Sequence, residues 1–136
     1  MSMTEGKAVR RPGGTGAEVD VAGEAAAVGP AASLFRSLAD PARLVILRHL
    51  MLGEHRVVDL TAHLGLAQST VSTHLACLRD CGLVVSRPQG RSSMFSLSAG
   101  GELVEVLTAA ERLLAATGYA VDLCPTHGSG QHADAV

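Results

Sequence analysis

The sequence predicts a mainly α-helical fold with a small β-hairpin, arranged as a winged helix-turn-helix that forms a homodimer. Residues 57–80 carry two short helical patterns joined by a turn that contains glycine, which is typical of a helix-turn-helix. Strand-like runs at 83–85 and 94–97 flank a segment whose Pro and Gly favour the tip of a hairpin, the wing. A longer apolar helical stripe follows, and a core this small cannot cover it. We expect the stripe to pack against its mate in a second chain through Leu103, Val106, Leu107, Ala110 and Leu114.

The helices can be placed from their start and stop signals. Apolar residues begin to repeat near Ala31, and Asp40-Pro41 then supplies an N-cap followed by proline in the first turn. The helix that starts there is predicted to stop at Gly53, because glycine readily takes a left-handed C-cap conformation. The two helices of the helix-turn-helix are predicted at Val57–Leu64 and Gln68–Asp80, with a turn at 65–67.

Three segments differ in composition. Residues 1–30 mix Gly, Ala, Arg and Glu without apolar periodicity, which is typical of a flexible N-terminal arm. Residues 31–117 form the predicted winged-helix DNA-binding and dimerisation domain. Residues 118–136 return to small and polar side chains and form a C-terminal tail, which we expect to carry a metal ligand.

Composition excludes some classes of protein. The 136 residues suit one domain, and neither an apolar run of membrane-spanning length nor an export signal is visible, so we expect a cytoplasmic protein. A net charge of -2 means that any binding of nucleic acid must depend on local charge. Three cysteines are an odd number for a disulfide framework and favour metal or redox chemistry.

The fourth predicted helix has the pattern of a DNA-reading helix. Val71, Leu75 and Leu78 share one side, which must face the core, so the small hydroxyl side chains lie on another. Such side chains suit a close approach to the major groove, although a solvated face of a protein-interaction domain would look similar. The predicted contacts to operator DNA are Gln68, Ser69, Thr70, Ser72, Thr73 and His74 on this helix and Arg87 and Arg91 on the wing.

The cysteines suggest a site for a soft metal ion. Cys77 and Cys81 are four apart on one helix, which places their Cβ atoms about 5–6 Å apart, and Cys124 could swing in from the mobile tail. Three thiolates favour Cd(II) or Pb(II). Zn(II) would need a fourth ligand, such as His127, His132 or water. The alternative is that these cysteines are small buried apolar residues.

Three stretches, LADPARLVILRHL, LGLAQSTVSTHLACLRDCGLV and QGRSSMFSL, resemble the ArsR/SmtB family of metal-responsive repressors over about residues 31–117. The resemblance implies a winged-helix homodimer that binds a palindromic operator when metal-free and releases it on binding metal. HLACLRDCGLVV together with a tail cysteine resembles the CmtR-type cadmium- and lead-sensing branch. In that branch the three matching cysteines are the ligands, and the tail cysteine reaches a site on the partner subunit.

Other functions remain as alternatives. A repressor on the same fold could sense oxidants or electrophiles through the same three thiols. An enzyme is not expected, because Cys124 and His127 lack an orienting acid and an oxyanion site. A dimerisation module would show no salt-sensitive affinity for DNA. The other histidines, His49, His55, His63 and His74, are predicted to be isolated surface or packing residues, of which His74 alone is also a candidate to contact a phosphate.

Overall fold

The computed structural model describes residues 20–125, which fall into two compact units that divide between Ser33 and Leu34. The second unit contains the predicted winged helix-turn-helix, so the expected fold class is confirmed. Its elements, after the last turn of α2 (Gly29–Leu38), are α3 (Pro41–Leu50), β1 (His55–Arg56), α4 (Val57–Leu64), α5 (Gln68–Asp80), β2 (Val84–Gln89), β3 (Ser92–Leu97) and α6 (Gly100–Ala116).

The described part of the first unit, residues 20–33, is helical where the sequence analysis expects an arm. Helix α1 (Val21–Ala27) begins at Asp20, whose side chain accepts a hydrogen bond of 3.0 Å from the backbone N of Gly23. Helical structure therefore begins ahead of Ala31. Alanine has the highest intrinsic helix propensity, and an N-cap is worth about 1 kcal/mol, so this segment forms a helix without an apolar stripe.

Helix α3 starts where predicted and ends earlier. Asp40 Oδ1 accepts hydrogen bonds from the backbone N of Ala42 (2.8 Å) and of Arg43 (3.2 Å). The bond from Arg43 is the main reason that the pKa of Asp40 is lowered. The helix ends at Leu50, and two tighter turns follow, so the prediction that it stops at Gly53 is wrong by three residues. Gly53 has a φ of 144°, beyond the left-handed helical region, and leads the chain into β1.

The sheet has three antiparallel strands in the order β1-β3-β2. Strand β1 has only two residues, too few to show a pattern in the sequence, and pairs His55 with Phe95. The tip of the hairpin is shorter than the segment predicted between the runs at 83–85 and 94–97, because β2 continues to Gln89 and Pro88 lies opposite Ser93. Proline is tolerated there because β2 is an edge strand. The turn itself contains Gly90, with a φ of 60°.

Apolar residues from every helix of the second unit and from the hairpin form one core. On α5, Val71, Leu75 and Leu78 are at most 1% exposed, as predicted, so the opposite side of this helix must face outward. The fully buried side chains of the core are Ile46, Leu47, Leu60, Val71, Leu75, Leu78 and Val84.

Helix α6 divides its apolar residues between two surfaces. Leu103 (4% exposed) and Leu107 (3%) belong to the core of their own chain, so they are not available to a second chain. Val106 (39%) and Leu113 (68%), seven residues apart, lie exposed on another face. The expectation that one continuous stripe contacts a partner is therefore wrong for Leu103 and Leu107.

Three histidines that were predicted to be isolated lie together. The ring of His49 on α3 stacks on that of His63 on α4, with centroids 4.7 Å apart. The ring of His55 on β1 lies edge-on, 6.1 Å from His49 and 5.9 Å from His63. Burial lowers the pKa of His49, and positive charge on the two neighbouring rings and on Arg48 lowers it further. The cluster therefore favours the neutral form of His49.

Acidification should destabilise this cluster. Because the pKa of His49 is lower in the folded than in the unfolded chain, the unfolded chain binds the proton first. The stabilisation is complete above the unfolded pKa of about 6.5 and is lost as the pH falls from there toward the folded value. We expect the midpoint of urea unfolding to fall between about pH 8 and pH 5, and to fall less in His49→Gln. An equal fall in that variant would contradict this role of His49.

Candidate nucleic-acid interface and cysteine sites

The outward side of α5 carries the predicted reading residues. The exposed ones are Gln68, Ser69, Thr70, Ser72 and Thr73. The hydroxyl of Thr73 donates to the backbone O of Ser69 at 2.9 Å, so its proton is used within the helix. Thr73 therefore offers a base its methyl group and an acceptor oxygen, whereas the predicted role of these residues in reading bases remains a prediction.

His74 is held by an arginine that the sequence analysis missed. Nη1 of Arg43 lies 3.4 Å from Nδ1 of His74, and a guanidinium can only donate, so Nδ1 accepts. The proton of a neutral His74 ring is then on Nε2, which can donate to a phosphate. Arg43 also donates to the backbone O of Ser37 (2.8 Å) and of Arg36 (3.2 Å). It thereby connects α2, α3 and α5.

Arg87 on the wing is paired with an acid that the sequence analysis did not single out. Its guanidinium donates to both carboxylate oxygens of Glu54, with Nε–Oε2 at 3.1 Å and Nη2–Oε1 at 2.7 Å. These hydrogen bonds lower the pKa of Glu54 and raise that of Arg87. To contact DNA, Arg87 has to exchange a carboxylate for a phosphate. Arg91 lies exposed in the turn of the wing.

Cys77 lies in the last turn of α5, Cys81 is the C-cap residue of that helix, and both are half-buried. Sγ of Cys81 donates to the backbone O of Leu78 at 3.4 Å. Gly82, with a φ of 83°, follows and turns the chain toward β2. The two thiols therefore lie where the reading helix ends and the connection to the wing begins.

Cys124 lies against α6, although the sequence predicts that it hangs from a mobile tail. It is 2% exposed, and its Sγ lies 3.6 Å from Oγ1 of Thr108 and 3.9 Å from the backbone O of Val104. Oε2 of Glu111 accepts hydrogen bonds from the backbone N of Leu123 (2.5 Å) and of Cys124 (3.0 Å). The carboxylate of Glu111, two helical turns after Val104 on α6, thus fixes the segment that carries the third cysteine.

The single chain does not assemble a complete metal site within residues 20–125. No group of three or more His, Cys, Asp or Glu side chains in that range could hold a metal ion. His127 and His132, the predicted additional ligands, lie outside the described residues. Among the predicted ligands, Cys77 and Cys81 are one helical turn apart, with the backbone N of Cys81 donating to the O of Cys77 at 3.1 Å, whereas Cys124 lies against α6.

Comparisons with known proteins place this geometry in context. The family model described as "Bacterial regulatory protein, arsR family" matches residues 40–86. The HTH-type transcriptional regulator CmtR of Mycobacterium tuberculosis is 46% identical over 106 residues, which cover 68% of this chain and 88% of CmtR. A probable mercury resistance operon repressor of Streptomyces lividans is 39% identical over 100 residues, covering 74% and 78%. The crystal structure of NolR from Sinorhizobium fredii superimposes with a TM-score of 0.61 at 30% identity, covering 73% of this chain and 96% of NolR. CmtR is a regulator of transcription by name, and the Streptomyces lividans protein is a repressor by name. Among the described residues, no helix has the length and apolar character needed to cross a membrane.

The wing arginines generate a prediction about DNA affinity. Arg91→Ala should weaken binding to all DNA sequences and lower the slope of log affinity against log salt by about 1, since one phosphate contact is lost. Glu54→Gln should strengthen binding to all sequences, because Arg87 no longer has a competing carboxylate. Fluorescence anisotropy over a salt series measures both effects. Arg112→Ala, which alters an exposed arginine on α6, is the matched control. If Arg91→Ala leaves the salt slope unchanged, the wing is not part of the DNA interface.

Proposed function

Because the chain belongs to the arsR family of bacterial regulatory proteins, we propose that it is a metal-sensing transcriptional repressor of the cytoplasm. It binds operator DNA as a metal-free homodimer and releases the DNA when a soft ion is captured through Cys77, Cys81 and Cys124. The observation that carries the proposal is the position of the cysteine pair. Both thiols lie at the end of α5, between its reading face and the turn into the wing.

The DNA step uses groups that differ in what they recognise. The exposed hydroxyl side chains in the first two turns of α5 face the bases of the major groove. His74 donates through Nε2 to the DNA backbone, and Arg87 on β2 and Arg91 in the wing turn bind phosphates. The phosphate contacts position the protein, and the base contacts select the operator.

The metal step follows from the donor set. Two thiols at i and i+4 can bind one ion, and thiolates select thiophilic ions such as Cd(II) and Pb(II). The kinship with a mercury resistance repressor supports a soft ion. A Zn(II) ion would need a fourth ligand, for which His127, His132 or water are the candidates. When bound, the ion would supply a strong link between thiolates that are otherwise independent.

The third thiolate has to travel in the metal-bound state. Cys124 is buried against α6, whereas Cys77 and Cys81 are half-buried on α5. The segment that carries Cys124 therefore has to leave α6, whether it meets the pair of its own chain or that of a partner. The resemblance to the CmtR-type branch favours the partner subunit.

The dimer is proposed from the apolar side chains that α2 and α6 leave exposed, among them Phe35 (61%), Val106 and Leu113. Sedimentation should show a dimer at micromolar concentration. Leu113→Glu should shift it toward monomer, since a charge then replaces an exposed apolar contact. Val85→Glu, at a valine that is 49% exposed on the wing, is the matched control. A monomer that binds the operator tightly would contradict the dimer.

The cysteines can be tested one at a time. With a reductant present throughout, saturating Cd(II) should weaken operator binding by the wild type by about five- to 150-fold. Cys77→Ser and Cys81→Ser should bind the operator without metal but lose this response. Cys124→Ser should retain weak Cd(II) binding through two sulfurs, with less sulfur-to-metal ultraviolet absorbance and less DNA release. Anisotropy and absorbance titrations measure the two properties.

Two results would count against the proposal. Wild-type affinity for Cd(II) and wild-type release of DNA in Cys124→Ser would show that Cys124 is not a metal ligand. Release that requires an oxidant and ignores Cd(II) would instead support a thiol redox sensor on the same fold.

A further inference from the structure

We propose that Glu111 is a latch that holds Cys124 against α6 in the metal-free protein and thereby sets how readily the third thiolate is delivered. The delivery step rests on the proposed metal-sensing function, whereas the latch itself can be measured without metal. Glu111 is a positioning residue in this account, because it acts on the metal site only through the segment that carries Cys124.

The latch is a buried carboxylate that binds two successive amides. Glu111 is 9% exposed, and its Oε2 accepts hydrogen bonds from the backbone N of both Leu123 and Cys124. Hydrogen bonds to an ionised acceptor are about twice as strong as neutral ones. The two hydrogen bonds also fix the orientation of the segment, because both amides must point at one oxygen at the same time.

The latch removes the sulfur from solvent. Cys124 is 2% exposed, and its Sγ faces Oγ1 of Thr108 and the backbone O of Val104, with the partly buried Leu123 packed against the core beside it. A metal ion binds a thiolate that it can reach, so Cys124 cannot act as a ligand in this position. Delivery of the sulfur therefore requires that both hydrogen bonds to Glu111 break.

Breaking the two hydrogen bonds to Glu111 costs free energy, which metal binding must offset. Opening the latch leaves a largely buried carboxylate without two of its donors, and a buried group that loses its hydrogen bonds is destabilised. The same cost keeps the tail cysteine protected while metal is absent. Weakening the latch should then expose the thiol and favour metal binding, without altering any sulfur ligand.

The thiol can be probed directly in the full-length chain. In a Cys77→Ser, Cys81→Ser background, Cys124 is the remaining one of the three cysteines. Glu111→Gln keeps the size of the side chain and removes its charge. It should speed the reaction of Cys124 with a chromogenic disulfide reagent by about tenfold, because charge-assisted hydrogen bonds are replaced by weaker ones.

Two further variants make the thiol experiment decisive. In the same background, Glu105→Gln, at an exposed glutamate on the same helix, should leave the reaction rate of Cys124 unchanged. If Glu111→Gln does not fold, Glu111→Asp provides the same test, since its shorter side chain cannot keep both bonds. Circular dichroism establishes that each variant is folded.

The metal-binding experiment uses Cd(II) as the only added metal, with all three cysteines present. Glu111→Gln should bind Cd(II) more tightly than the wild type, with Glu105→Gln unchanged. An unchanged reaction rate for Cys124 in Glu111→Gln overturns the latch whatever Cd(II) does. Faster reaction without tighter Cd(II) binding would overturn the delivery role and would show that the failure lies in the proposed third ligand.

Discussion

The apolar side of α5 must be buried, and the positions of the candidate reading residues and of the cysteine pair depend on that constraint. Val71, Leu75 and Leu78 enter the core from one side of the helix, so the orientation of the helix about its axis is fixed. With about 100° between successive residues, the hydroxyl side chains then face outward. Cys77 and Cys81 lie at the edge of the buried side, which leaves them half-buried and open to an ion.

In the proposed switch, the connection from α5 to the wing couples the cysteine pair to the candidate DNA contacts. The backbone N of Leu83 donates to the O of Leu78 at 2.9 Å, and the backbone N of Ser98 donates to the O of Leu83 at 3.1 Å. The hydroxyl of Ser98 donates to the O of Gly82. These bonds tie the end of the reading helix to both ends of the hairpin. An ion that prefers a different arrangement of the last turn therefore biases the reading helix and the wing together, as a shift of population requires.

Local signals predicted much of this fold, and long-range contacts account for the rest. The bounds of α4 and α5 were predicted correctly, because each helix has an apolar side and a glycine at or near its end. Strand β1 was missed, since a two-residue strand exists only through its pairing with β3. The histidine cluster and the hydrogen bonds from Leu123 and Cys124 to Glu111 were missed for the same reason, because each forms only when separate elements pack together. Pro88 indicated a turn where β2 in fact continues, because its place on an edge strand is a tertiary property that the sequence does not show.

The central claim is that metal capture and operator binding oppose each other in one molecule. Thermodynamic linkage makes such coupling reciprocal, so the operator must weaken metal binding by the factor by which metal weakens operator binding. The most direct measurement is the affinity for Cd(II), determined by competition with a chelator in the absence and in the presence of saturating operator DNA. We expect Cd(II) to bind the DNA complex about five- to 150-fold more weakly than the DNA-free protein. Equal affinities in the two states would contradict it.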